Sequence, residues 1–278
     1  METAHEVAKQ AAEQATVQIP ELPNFIHVLH HYFPHNPLLN YIISLHCEYI
    51  VFIALVIGVL GVFFGVATKR CSILPGRLQA FAEMLVEGLL SVIYGILGEK
   101  EGRRYFPFLG TLFFFILGMN WFGLFPLMSS PSSHIQVTAA LAISVFAYVQ
   151  FTAITRLGPK GYLYHLMGEP NDPITWCLVP LFLPLHIVEE FIKPLSLACR
   201  LFGNIFGEDL LLGIALMLGV GMVVAFWPNA YIGFPLHLPF IFLSLLLSTI
   251  QALVFTLLAT VYFSMVIPHE QHEEGGKH

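Results

Sequence analysis

YFPFLGTLFFFILGMNWFGLFPLMSSPSSHIQVTAALAISVFAYVQFTAIT, residues 105–155, contains no Asp, Glu, Lys or Arg. A hydrocarbon core about 30 Å thick is crossed by about 20 helical residues, so this stretch holds enough chain for two crossings. Its centre, FPLMSSPSSHIQ (125–136), is rich in the Pro and Ser that end helices and make turns. The sequence therefore predicts a helical hairpin in a membrane, with arms near 105–127 and 136–155.

The same reasoning extends outward. Tyr49 to Thr68 is an uncharged run closed by Lys69 and Arg70, and Leu210 to Pro268 is uncharged but broken at WPNAYIGFP, residues 227–235. A second hairpin is predicted over 174–226 and 236–267, giving five spans. Composition agrees: of 278 residues, 56% are apolar and 11% charged, with a mean hydropathy of +0.75. Soluble domains carry roughly 25% charge. The fold class is an all-α integral membrane protein, and the 14% of aromatic residues suit lipid-facing and interfacial surface.

The segment from Arg77 to Glu99 is different. Leu78, Phe81, Leu85, Leu89, Val92 and Ile96 recur at three- and four-residue steps, while Gln79, Glu83 and Glu87 occupy another face. It is predicted to be one amphipathic helix lying along the interface or against the bundle and not crossing. Of twelve Lys and Arg, eight (Lys69, Arg70, Arg77, Lys100, Arg103, Arg104, Arg156 and Lys160) fall in two connections, whereas the turns near 130 and 230 have none. The positive-inside rule places those connections on the cytoplasmic side. Five spans then put a polar segment 1–40 outside, a membrane domain over 41–268, and the tail 269–278 in the cytoplasm.

Several functions are excluded or weakened. A net charge of −6 without a basic stripe argues against nucleic acid as a partner, and neither GxxxxGK[ST] nor GxGxxG occurs. Cys47, Cys71, Cys177 and Cys199 lie in or beside apolar segments without CxxC spacing, and read as small apolar fillers. HIVEE (186–190) lacks the second histidine of a metalloprotease motif. His27, His30, His31 and His35 read as interfacial residues, and Gly61 with Gly65 as a close helix contact. No cofactor or metal is expected. The N-terminus has no basic and apolar leader, nor an Arg-rich one, which favours a bacterial inner membrane.

Charge inside a span needs a reason, since an arginine at the bilayer centre costs about 2.5–3.5 kcal/mol on insertion scales. Around FIKPLSLACRLFGNIFGEDLLLG (191–213), Glu189, just before it, and Lys193, Ser196, Arg200 and Asn204 within it follow helical steps of four, three, four and four, and so share one face. Asp209 is nine residues beyond Arg200, about 13.5 Å along the axis and about half a turn round. Along the last span His237, Ser244, Ser248 and Gln251 form a second, uncharged polar row. Glu189 and Asp209 are both more than two turns from Arg200 on its own helix, so its partner is expected from the hairpin mate or another chain.

KPLSLACRLFGNIFGEDLLL (193–212), followed by IQALVFTLLATVYFSM (250–265), closely resembles subunit a of the F-type ATP synthase, and FLGTLFFFILGMNWFGLFP (108–126) resembles that family's third helix. The resemblance implies a proton-conducting stator subunit that is no enzyme alone, with two proton half-channels and a C-terminal hairpin packed against the c-ring. It implies as partners the c-ring, the subunit b peripheral stalk, the rest of the synthase and the lipid bilayer. Arg200 matches the essential arginine that faces the c-ring carboxylate and separates the half-channels. Gln251 matches the glutamine beside it and Asn204 the asparagine one turn along. Asp209, with Glu208 next to it, takes the place of the outer-channel polar group, and Glu189 an acidic position of plastid-like members. Ser244 stands where some members have histidine. SSHIQVT (132–138) puts His134 and Gln136 where the family has Asp and Asn. Ser248 completes the polar row that the proton path would follow. Two alternatives remain open on the sequence: a secondary cation transporter, disfavoured because no second copy of KPLSLACR is present, and sodium in place of proton coupling.

Overall fold

The computed structural model describes residues 48–69, 76–125, 128, 130–168, 173–226 and 236–267. The segment 1–40 with its histidines, the turn 227–235 and the tail 269–278 lie outside the described residues. Among the described residues all regular structure is helical: α1 (Glu48–Thr68), α2 (Arg77–Phe122), a 3-10 turn η1 (Pro131–Ser133), α3 (Ile135–Leu166), α4 (Pro173–Phe226) and α5 (Leu238–Val266). Five of these helices are long and apolar enough to cross a membrane.

α2 is two arms joined at Gly98, whose φ of 76° and ψ of 166° break the helix. A positive φ is open to glycine at little cost because it has no Cβ. The first arm is the amphipathic helix that the periodicity predicts, but its buried face differs in part. Ala82, Leu89 and Ile93 are buried, whereas Leu78, Phe81 and Val92 point outward. Six apolar residues make a stripe wider than one neighbouring helix can cover, so its edge is left for lipid.

α3 runs past the predicted end at 155 to Leu166, with a break at Gly158 (φ 71°, ψ 162°) before Pro159. Arg156 and Lys160 follow the uncharged run, but they do not stop a helix. The residue before a proline is pushed out of the α region, and that is where the break falls. Arg156 Nη2 pairs with Glu101 Oε2 at 2.6 Å and ties this end of α3 to the second arm of α2.

α4 has 54 residues and contains Pro180, Pro184 and Pro194. At 1.5 Å per residue it is about 81 Å long, far more than the hydrocarbon thickness, so it runs obliquely or extends along an interface. α5 packs along the second arm of α2, α3 along α4, and α4 on α5 and η1. The contact face of α5 is a file of small and aromatic residues, Ala252, Phe255, Thr256, Ala259, Thr260 and Phe263, each with at most 1% exposure. Lipid tails are as apolar as a core, so helices in a membrane associate through close van der Waals packing and hydrogen bonds. Small residues permit that approach, and Thr256 and Thr260 satisfy their hydroxyls on Ala252 and Thr256 carbonyls of their own helix. Gly118 does the same for α1, since a Cβ there would lie 3.1 Å from Val56.

Candidate functional site

The polar rows of α4 and α5 meet as two rungs. Asn204 Nδ2 donates to Gln251 Oε1 at 2.6 Å, and one turn along Ser248 Oγ donates to Glu208 Oε2 at 2.8 Å. Asn204 and Glu208 are four apart on one helix, Ser248 and Gln251 three apart on an antiparallel one, so both pairs face each other at once. Gln251 and Ser248 are buried at 3% and 1% exposure, and Glu208 at 7%. Among the described residues each rung leaves one atom without a partner: Gln251 Nε2, a donor, and Glu208 Oε1, an acceptor when ionised. Ser244 is buried one turn further along α5, and His237, at the start of that helix, has a buried Nδ1 that also lacks a partner among the described residues.

The upper rung continues into the first hairpin. Asn120 Nδ2 donates to the Ser248 carbonyl at 3.3 Å, and Ser132 Oγ donates to Asn120 Oδ1 at 2.6 Å. Ser130 and Ser132 hydroxyls are 2.7 Å apart. Ser133 Oγ donates to the Ser130 carbonyl at 2.7 Å and lies within hydrogen-bond reach of the Asp209 carboxyl. With a single proton, Ser133 serves one acceptor at a time. Glu208 and Asp209 are thus both connected, by hydroxyls and amides, to η1 and the end of α2. Asn120, Ser130 and Ser132 were not singled out by sequence; the Ser-rich turn was legible, but its contact with α4 depends on tertiary packing. His134 instead packs its ring on Tyr49 of α1, with centroids 5.2 Å apart.

Arg200 lies on the open face of α4, beside exposed Ser196, Gly203 and Asn204. Among the described residues no carboxylate lies within ion-pair distance of it; the recorded ion pairs are Arg156 with Glu101, and Lys193 with Glu189 and Glu190. Its electrostatic neighbour is Tyr262 on α5. A Cβ added at Gly203 or Gly207 would meet nothing within 4 Å, so this face is flat and bare around the guanidinium.

A second polar cluster sits two turns toward the start of α4. Lys193 Nζ binds Glu190 Oε1 at 2.7 Å and Glu189 Oε1 at 3.4 Å. Glu190 Oε2 accepts from Gln150 Nε2 at 2.6 Å, and Gln150 Oε1 accepts from the Tyr162 hydroxyl. The Glu189 side chain, which the sequence placed in the path, stays 52% exposed. Glu190, passed over by spacing alone, is the acid turned into the protein. Adjacent residues on a helix point about 100° apart, and it takes Gln150, forty residues away, to choose between them.

The chain matches the family model described as ATP synthase A chain over residues 49–264. It is 45% identical over 268 residues to ATP synthase subunit a of Protochlamydia amoebophila, covering 96% of this chain and 95% of that one. Subunit a of Solidesulfovibrio magneticus is 40% identical over 73% of this chain and 77% of its own length, and that of Moorella thermoacetica 36% identical over 76% and 86%.

Proposed function

Since this chain belongs to the ATP synthase subunit a family, we propose that it is the stator subunit of the membrane sector, providing two proton half-channels that Arg200 separates. The observation that supports this is Arg200 itself: a permanent cation within a membrane helix, on a flat open face, with no carboxylate of the described chain beside it. A guanidinium in that setting needs an anion from outside, and the carboxylates of a rotating c-ring supply one per step.

The reading assigns the Asn120, Ser130, Ser132, Ser133, Ser248, Glu208 and Asp209 network to the outer half-channel, with Asn204 and Gln251 beside the meeting point. Ser244 and His134 line its margin. The cleft by Glu189 and Lys193 belongs to the inner half-channel. A ring carboxyl arriving from lipid is neutral, because charge is expensive there. On reaching Arg200 it is favoured as the carboxylate, and gives its proton to the inner path. At about 4 Å and an effective dielectric constant of about 20 such a pair is attracted by about 4 kcal/mol, enough to choose the ionised form but not to trap it. The same positive charge opposes a hydronium crossing directly between the half-channels. Each proton that crosses contributes about 2.3 kcal/mol per 100 mV, so several are needed for each ATP. Subunit b and the remainder of the synthase are the other partners. The N-terminus faces outside and the C-terminus the cytoplasm of a bacterial cell, with 1–40, 41–268 and 269–278 as outer, membrane and cytoplasmic parts. Membership of this family sets aside the cation-transporter reading.

The test is ATP-driven proton uptake by membrane vesicles carrying the whole complex with Arg200→Ala. The expected outcome is a loss of more than about a hundredfold, the scale on which a preorganised charge acts in a low-dielectric site. Normal acidification would refute the reading.

A further inference from the structure

A proton leaving Arg200's side needs a group that passes it to water, and the inner cluster offers one that neither spacing nor resemblance identified. Glu190 is held from two elements, by Lys193 on its own helix and Gln150 on α3, so its carboxylate position is fixed. It lines a cleft of about 1000 Å³, counted out to open solvent, with Tyr162, His186, Glu189, Lys193 and Val266. It also lines a narrower pocket with Lys193, Leu197 and Tyr262. Tyr262, which lines that pocket, lies within electrostatic range of Arg200, Lys193 and Glu190. Pro194 has no N–H to donate to the Glu190 carbonyl, which adds a free backbone acceptor at the same place.

The charges facing Glu190 are Lys193 and Glu189 on α4. The other titratable groups around it are His186 on α4, bound through Nδ1 to the Leu166 carbonyl at 3.0 Å, Tyr162 on α3 and Tyr262 on α5. With both acids ionised, Glu189, Glu190 and Lys193 sum to one negative charge. Negative charge at the mouth of a low-dielectric cleft concentrates protons and does not repel them.

We propose that Glu190 is the proton-exchange residue of the inner half-channel, positioned by Gln150. This rests on the stator reading above. The ring carboxyl breaks its O–H bond and gives the proton to water of the inner half-channel. The Glu190 carboxylate accepts that proton as a new O–H and releases it to bulk water, leaving both carboxylates ionised and one proton transferred. Lys193 stays protonated throughout, as the partner to which the carboxylate returns.

The test uses inverted vesicles with the intact complex, and steps the pH of the inner side alone. Glu190→Gln is expected to slow pumping about tenfold. That is less than the roughly 10²-fold of a fully enclosed acid–base group, because the cleft admits water that can bypass it. It should also flatten the response to inner-side pH while the response to outer-side pH stays as in the parent. Gln150→Leu, which keeps the carboxylate and frees its position, should shift the inner-side profile with a smaller loss of maximal rate. Should Glu190→Gln fail to assemble, Gln150→Leu alone decides. An unchanged inner-side profile in either assembled variant, with Arg200→Ala inactive, overturns this inference and leaves the stator reading standing. Pumping by Arg200→Ala would instead remove the reading beneath it.

Discussion

α4 carries two pairs of adjacent acids, Glu189 with Glu190 and Glu208 with Asp209, and the protein treats them in opposite ways. The first pair has a lysine within 2.7 and 3.4 Å and opens on a cleft. The second has no cation recorded beside it among the described residues; it is served by Ser248 and Ser133, and one Glu208 oxygen is buried without a partner. A carboxylate with a cation and water can exchange its proton with solvent directly. A carboxylate wrapped in hydroxyls must take its proton through a chain of donors that each have one proton to give. On the stator reading proposed above, delivery to the rotor would be routed and discharge from it open, with Arg200 between the two regimes.

The contrast can be broken at its outer end. Asp209→Asn removes the acid nearest η1, and pumping should fall on the order of 10²-fold in the vesicle assay, the scale of an enclosed acid–base group. A loss no larger than that of Glu190→Gln would mean that both ends are equally wet. Ser248→Ala is a gentler change that takes away the hydroxyl on Glu208. It should cost a few-fold in pumping and about 1 kcal/mol or less of stability, the usual worth of a hydrogen bond between membrane helices. It should also leave the inner-side pH response untouched; a change in that response would show that the two clusters are coupled.

Much of this was legible in the chain itself. Uncharged runs announce spans because charge in hydrocarbon is expensive, and Arg200 stands out for the same reason. That Arg200 has no ion partner on its own helix also follows from spacing, as Glu189 and Asp209 are too far along it; that none comes from the hairpin mate among the described residues does not. What depended on tertiary contact was hidden. Glu190 and Glu189 are indistinguishable until Gln150 is packed against one of them. Asn120 reads as an isolated polar residue in an apolar helix until Ser248 and Ser132 are brought to it. His134 sits in a promising motif, yet its ring goes to Tyr49, a contact set by where α1 packs. The amphipathic arm before Gly98 shows the limit of periodicity: a stripe says that a face is apolar, and the neighbour decides how much of it is buried.

The central claim is that the anion for Arg200 belongs to another chain that passes the open face of α4. Asn204, one turn from Arg200 and exposed on that face, gives the most direct measurement: disulfide cross-linking of Asn204→Cys, in a chain whose four native cysteines are replaced, to a cysteine beside the rotor carboxylate in the assembled complex. The expected result is a cross-link at position 204 and none from Ala198→Cys, which is buried at 5% exposure on the opposite side of the helix. A complex that assembles and pumps protons but shows no cross-link from position 204 to the rotor would contradict the account.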